Sequence, residues 1–256
     1  METQLTDTAL DSLLSVVIPN HNYGRFVGEA IASIAGQSYR PIELIVVDDA
    51  STDNSVEMIE KAFSEHGDAL VSTRLIALKD NVGKLGALNR ALEHVRGKYF
   101  IILDSDDILK PEYVERTITE LENARKEDDT IAFLYTDCML INQEGEELDR
   151  GKSTGWDPAL LERYSFVPEP ATCLAGPVLD AAPYDEAIRK GTKHHKWKKI
   201  VTAGWNGRHL PEPLFCYRMH DANLSGIGKR VIGEVESGIG GERILSGYWP
   251  LQTTER

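Results

Sequence analysis

The chain has 256 residues, of which 41% are hydrophobic, enough for one large domain or two small ones sharing a core and too many for a disordered chain. Its formal net charge of -13 excludes a general nucleic-acid binder, because a phosphate backbone requires a basic face. Cys138, Cys173 and Cys216 are too widely spaced for a CxxC or metal motif and fit reduced thiols in a cytoplasmic protein.

Residues 1–11 are polar and acidic and read as a flexible tail rather than a signal peptide. "LLSVVIP" (13–19) is a buried strand stopped by Pro19. A helix follows, with Phe26, Val27, Ala30, Ile31 and Ile34 at helical spacing. "ELIVVDD" (43–49) is a second strand, and Ser51, Thr52 or Asp53 can cap the helix carrying Val56, Ile59 and Phe63. "RLIALKD" (74–80) is a third strand. The helix after Gly83 sets Leu85, Leu88, Leu92 and Val95 on one face. "YFIILD" (99–104) is a fourth strand, Pro111 opens a fourth helix, and "IAFLYTD" (131–137) is a fifth strand. Beyond residue 140 the chain turns Gly- and Pro-rich, and 226–256 reads as a weakly periodic tail or lid. No apolar run reaches the roughly 20 residues of a membrane helix, which leaves peripheral membrane association open. Asn223-Leu224-Ser225 matches a glycosylation sequon but lacks a secretory context.

Four strand–helix alternations predict an α/β fold, a Rossmann-like, mainly parallel central sheet with helices on both faces. Ligands of such sheets bind outside the carboxyl ends of the strands. Those ends are Pro19-Asn20-His21-Asn22, Asp48-Asp49, Asp80-Asn81 and Asp104-Ser105-Asp106. Asp and Asn are ordinary turn formers, yet four such ends on one rim point to a shared ligand. Asp104, Asp106 and Asp107 repel one another unless something positive sits among them. A hard divalent cation, Mn²⁺ or Mg²⁺, completed by phosphate oxygens answers that need. Asp48 and Asp49 are then available to a base N–H or ribose hydroxyls. No GxGxxG follows the first strand, and neither a P-loop nor a GxSxG elbow occurs.

"SVVIPNHNYGRFVGEAIASIAGQSYRPIELIVVDDASTDNSVEMI", "DNVGKLGALNRAL" and "GKYFIILDSDDILKPEYV" together resemble the glycosyltransferases of family 2, and "WKKIVTAGWNGRHLPEPLFCYRMHDANLS" continues the likeness. The resemblance implies a GT-A fold, a nucleotide-diphospho-sugar donor (a UDP-sugar favoured), Mn²⁺ or Mg²⁺, and transfer to a carbohydrate or anionic acceptor, usually with inversion. It implies a nucleotide-sugar-binding half over 12–107 and an acceptor-binding half over 108–225. It places Pro19, His21, Asp48 and Asp49 at the nucleoside, His21 standing where a tyrosine is more usual. Lys84 falls near the base or diphosphate. Asp104, Ser105 and Asp106 form the D-x-D segment, with Asp104 and Asp106 holding the metal, Asp106 as its direct ligand, and His220 close to metal or diphosphate. Arg218 is expected to counter the diphosphate charge.

One position breaks the pattern. Family members open a late helix with Glu-Asp, the Asp being the general base; here Thr192-Lys193 stand there, inside the basic run "RKGTKHHKWKK". An ammonium is no base at its ordinary pKa of ~10.4. Four readings stay open. The run is a solvated face and the base is elsewhere, at Asp185 or Glu186. His194 or His195 is the base. The acceptor is already an anion, bound by Lys193 beside Trp197. Or catalysis is lost, leaving a silent sugar-nucleotide-binding or scaffold protein.

Overall fold

The computed structural model describes residues 10–223 and 226–245. Strands β1 (Leu14–Asn20), β2 (Ile42–Asp48), β3 (Ser72–Ala77) and β4 (Tyr99–Ile102) run parallel, in the order β4-β1-β2-β3. Between them lie α1 (Val27–Ala35), α2 (Ser55–His66) and α3 (Gly83–Leu92). Every residue of β2 is buried, as a strand covered on both faces requires, and its one mid-strand charge, Glu43, is paired with Arg96. β1 continues through Pro19 to Asn20 instead of stopping at the proline. The Val17 carbonyl faces β4 and accepts the last bond from that side, from Leu103 N–H. Pro19, two residues on, faces the same way beyond the end of that ladder, where its missing N–H costs nothing.

The second half extends the same sheet. β5 (Ile108–Leu109) and α4 (Tyr113–Glu127) lead into β6 (Ile131–Ile141), followed by β7 (Glu147–Lys152) and a short helix α5 (Pro158–Leu161). β8 (Ala171–Leu174) inserts antiparallel between β4 and β6 and joins the two halves. After it come α6 (Ala175–Ala181), α7 (Thr192–Thr202) and β9 (Asn206–Arg218), which lies parallel to β6. Leu14, Val16 and Ile18 pack on one side with α1, α2 and α4; Val17 packs on the other with α3, α6 and α7.

Part of the expected tail is structured. α8 (Ile227–Glu236) buries Ile227 and Val231, and β10 (Arg243–Ile244) adds a strand beside β7. The i, i+4 pair Ile227/Val231 carries this helix onto the core, a signal diluted by the surrounding glycines. Residues 246–256 and 1–9, parts of the two expected tails, lie outside the described residues. Among the described residues no helix is long and apolar enough to cross a membrane.

Candidate active site

The carboxyl ends of β1, β2 and β4 form one rim. At β2, the Asp48 carboxylate accepts from Asn20 Nδ2 (2.8 Å), Ser51 N–H (2.9 Å) and Ser51 Oγ (2.6 Å), and the residue is buried. This corrects its expected nucleotide contact, because Asp48 is consumed in holding two loops together. Asp49 turns to the neighbouring segment, one oxygen accepting Val82 N–H (2.7 Å) and the other Gly83 N–H (2.8 Å). These are donors that α3 cannot satisfy itself. His21 is exposed, with Nδ1 2.7 Å from the Asp49 carbonyl oxygen, and Pro19 is half-buried beside it. Asp49→Ala is expected to cost ~1–2 kcal/mol by orphaning two amides, read in urea unfolding. Nucleoside affinity is expected to fall in the same variant. Calorimetry showing lost stability with full affinity would reduce Asp49 to a helix cap.

The acidic segment follows β4. Asp104 Oδ1 accepts from Lys84 Nζ, and its Oδ2 from Lys193 Nζ at 2.9 Å. Asp106 Oδ2 meets His220 Nε2 at 2.9 Å, with Asn223 Nδ2 at 3.4 Å. Asp107 is fully buried; its Oδ1 accepts Arg218 N–H at 3.0 Å, and its Oδ2 has no partner. One oxygen from each of the three aspartates falls within 4.8 Å of the others. Burial alone pushes the Asp104 carboxyl up, but the Lys193 and Lys84 ammoniums outweigh it and hold that carboxyl well below its ordinary range. Burial, with the charges of Asp106 and Asp104, raises Asp107 far above that range. The three-acid repulsion is relieved by two lysines at one end, while at the other it adds to burial in raising Asp107.

Sequence reasoning passes over Glu169, which is the centre of this charge system. Its Oε2 accepts from Lys84 Nζ (2.7 Å) and its Oε1 from Lys196 Nζ (2.8 Å); the side chains of Glu169 and Lys196 are each only 2% exposed. The signal was a lone carboxylate in the apolar run "FVPEPATCL", which cannot be buried without a cation. Tyr23 was also missed: its ring stands edge-on to His220, 5.6 Å between centroids, and its hydroxyl donates to the Ala222 carbonyl.

Several expected site residues are elsewhere. α7 turns Lys196, Trp197 and Ile200 inward. Trp197 is fully buried with its ring 4.5 Å from Phe133, so it belongs to the core and not to an acceptor surface. His194 and His195 fall off the Lys193 face by helical phase. Burial, then Lys198, lowers the His194 pKa; burial, then Lys199, lowers that of His195. His195 Nε2 accepts the Asp185 N–H at 3.4 Å, while Asp185 Oδ1 accepts Ala187 N–H and Glu186 pairs with Arg90. Among the described residues, none of these four candidate bases contacts Asp104, Asp106 or Asp107. Arg218 is buried and spends its donors on the Asp106 carbonyl (2.9 Å), the Gln143 carbonyl (2.8 Å) and Glu29 (2.6 Å). It fastens the acidic loop and is not aimed at a diphosphate.

The donor set fits a divalent cation. Asp106 and His220 place a carboxylate oxygen and an imidazole nitrogen side by side, and Asp107 adds a buried oxygen with no partner. Asp104, the third acid of this cluster, has both oxygens on lysines.

The fold and rim define the class of GT-A proteins. Residues 15–145 match the model of glycosyl transferase family 2, and the chain belongs to that family. An uncharacterized glycosyltransferase of Nostoc sp. is 34% identical over 222 residues, covering 82% of this chain and 66% of its own. TarS of S. aureus in complex with UDP-GlcNAc superposes with a TM-score of 0.64 at 17% identity, over 88% of this chain and 65% of TarS. A mannosyltransferase of Pyrobaculum calidifontis in complex with GDP-Man and Mn²⁺ gives 0.62 at 20%, over 84% and 59%. The chain thus spans about two-thirds or less of the length of each of these three.

Proposed function

We propose that the chain transfers a sugar from a nucleotide-diphospho-sugar, with a UDP-sugar as donor, to an acceptor oxygen with inversion at the anomeric carbon. The observation that carries this reading is the Asp106–His220 contact at 2.9 Å, set beside the partnerless Asp107 oxygen at the carboxyl end of β4. Donors of this type occupy TarS and the mannosyltransferase, the latter with Mn²⁺. Asp106, His220 and Asp107 would hold the cation, and a set that mixes imidazole with carboxylate suits Mn²⁺ better than Mg²⁺. When bound, the cation supplies Lewis-acid neutralisation of the charge growing on the departing diphosphate. Pro19, His21 and Asp49 take the nucleoside, the exposed His21 ring stacking on the base. Ser105 is buried between the two aspartates of the D-x-D segment. Lys84 and Lys193 fix Asp104 beside the sugar, so that little reorganisation is left for the transfer itself. The unpaired cysteines, two of them buried, suit a reducing cytoplasm.

A thermal-shift screen of nucleotide sugars with and without Mn²⁺ tests the reading. A donor at 100 times its Kd stabilises by about 2.7 kcal/mol, or roughly 5–10 °C in a chain of this length. The shift is expected with Mn²⁺ and to shrink when Mn²⁺ is chelated. Slow hydrolysis of the same donor without acceptor is expected too, which a silent binder does not perform. A panel in which no nucleotide sugar moves the melting temperature overturns the proposal.

A further inference from the structure

We infer that the acceptor nucleophile is the oxyanion of a phosphate monoester, received by Lys193 on α7 and Lys84 on α3; this rests on the sugar-transfer reading above. The ion-pair chain through Asp104 and Glu169 joins three ammoniums, Lys84, Lys193 and Lys196, to two carboxylates, a surplus of one positive charge (3 - 2) within that chain, with Asp106 and Asp107 oxygens within 4.8 Å of Asp104. The exposed Arg189 brings a guanidinium over Gly83, the residue before Lys84. Its Nη1 lies so close over Gly83 that a Cβ there would stand 2.0 Å away. Lys193 and Lys84 are the partly open members, with side chains 26% and 18% exposed, while Glu169 and Lys196 form the buried base beneath them.

A neutral hydroxyl needs a group to take its proton, and among the described residues this face offers none beyond carboxylates already paired with lysines. All four oxygens of Asp104 and Glu169 accept from ammoniums, and His194, His195, Asp185 and Glu186 are turned elsewhere. The departing diphosphate belongs with Asp106 and His220. Lys193 Nζ meets Asp104 Oδ2, whereas His220 meets Asp106, so acceptor and diphosphate are assigned to different carboxylates of the loop. A phosphate monoester carries about -1.5 to -2 charges near neutral pH on three acceptor oxygens, which suits two ammoniums and a guanidinium better than a single carboxylate does. In the step, a phosphate oxygen lone pair forms the new bond to the anomeric carbon. The bond from that carbon to the diphosphate oxygen breaks, and the nucleoside diphosphate leaves with the electron pair. No proton is transferred, and the product is a glycosyl phosphodiester.

The test uses the donor that gives the largest thermal shift, with four acceptors. Benzyl phosphate and benzyl alcohol are the soluble pair; geranyl phosphate and geraniol in detergent are the lipid-like pair. A phosphodiester signal in ³¹P NMR is expected from at least one phosphate and no product from either alcohol. Which phosphate reacts tells a soluble source from a lipid headgroup. Lys193→Gln is expected to raise the phosphate KM about tenfold or more, with UDP affinity by calorimetry changed by less than about threefold. Lys193→Arg keeps the charge and is expected to recover part of the phosphate KM lost in Lys193→Gln. Products from the alcohols alone, or donor hydrolysis with no phosphodiester from either phosphate, overturn this inference and leave sugar transfer standing. Equal loss of UDP and phosphate binding in Lys193→Gln overturns it as well, by assigning the lysine to the diphosphate. A donor that neither binds nor hydrolyses removes both readings together.

Discussion

Asp106→Ala is expected to abolish Mn²⁺-assisted binding of UDP and to lower turnover about 10³-fold, while the fold survives. The loss follows from chemistry at one atom. Asp106 Oδ2 is the acidic-loop oxygen that meets His220, and Asp104 cannot replace it while both its oxygens are held by lysines. Removing one preorganised electrostatic group at a developing charge costs about 10²–10³ in rate, and a lost cation ligand removes the cation's share as well. Stability is expected to change by less than ~1 kcal/mol, because the loop is fastened by other atoms. Arg218 Nε donates to the Asp106 backbone carbonyl, and Arg218 N–H donates to Asp107 Oδ1. The measurement is calorimetry of UDP with and without Mn²⁺ on wild type and variant. An identical Mn²⁺ effect in both would move the cation site away from Asp106.

What the sequence discloses is what repeats locally. Alternating apolar runs disclose the parallel sheet, and polar residues at four strand ends disclose the rim. The acid cluster asks for a positive partner, and the structure supplies Lys84 and Lys193 at Asp104, with His220 Nε2 beside Asp106. What stays hidden is pairing across chain distance. Asp106 and His220 are 114 residues apart, and Lys84 and Glu169 are 85 apart. No spacing rule links such partners. The pleat decides between Asp48 and Asp49, since neighbours on a strand point to opposite sides and only one of two adjacent carboxylates can be tied up among the β1 and β2 loops. On α7 the basic run suggests a solvated surface, yet Lys196 is buried with its ammonium 3.8 Å from the centroid of the Trp197 ring. A lysine stem covers apolar area, so a charge run on a helix can still face a core when a carboxylate such as Glu169 waits inside.

Glu169→Ala is expected to be the most destabilising single change in the site, by about 3–5 kcal/mol at neutral pH. Lys84 keeps Asp104 when Glu169 is removed, but Lys196 is left buried with only an aromatic face for its charge. The isosteric Glu169→Gln retains shape and one acceptor oxygen, so the difference between wild type and Glu169→Gln isolates charge. Burial opposes ionisation of Glu169, but the ammoniums of Lys196 and Lys84 overcome it and bring its pKa from the ordinary 4.5 to about 2. A carboxyl lowered on folding contributes stability that is fully present above about pH 4.5 and is lost as the pH falls toward 2. The gap is worth ~3 kcal/mol. Urea unfolding at pH 7, 4 and 3 is therefore expected to show wild type losing its advantage over Glu169→Gln as the medium becomes acidic. Because Lys84 bridges Glu169 and Asp104, the same acid titration is expected to loosen the lysine that holds Asp104. Donor affinity in Glu169→Gln is then expected to fall even where the protein remains folded. A stability difference that does not vary between pH 7 and pH 3 would mean that Glu169 acts through packing and not through its charge.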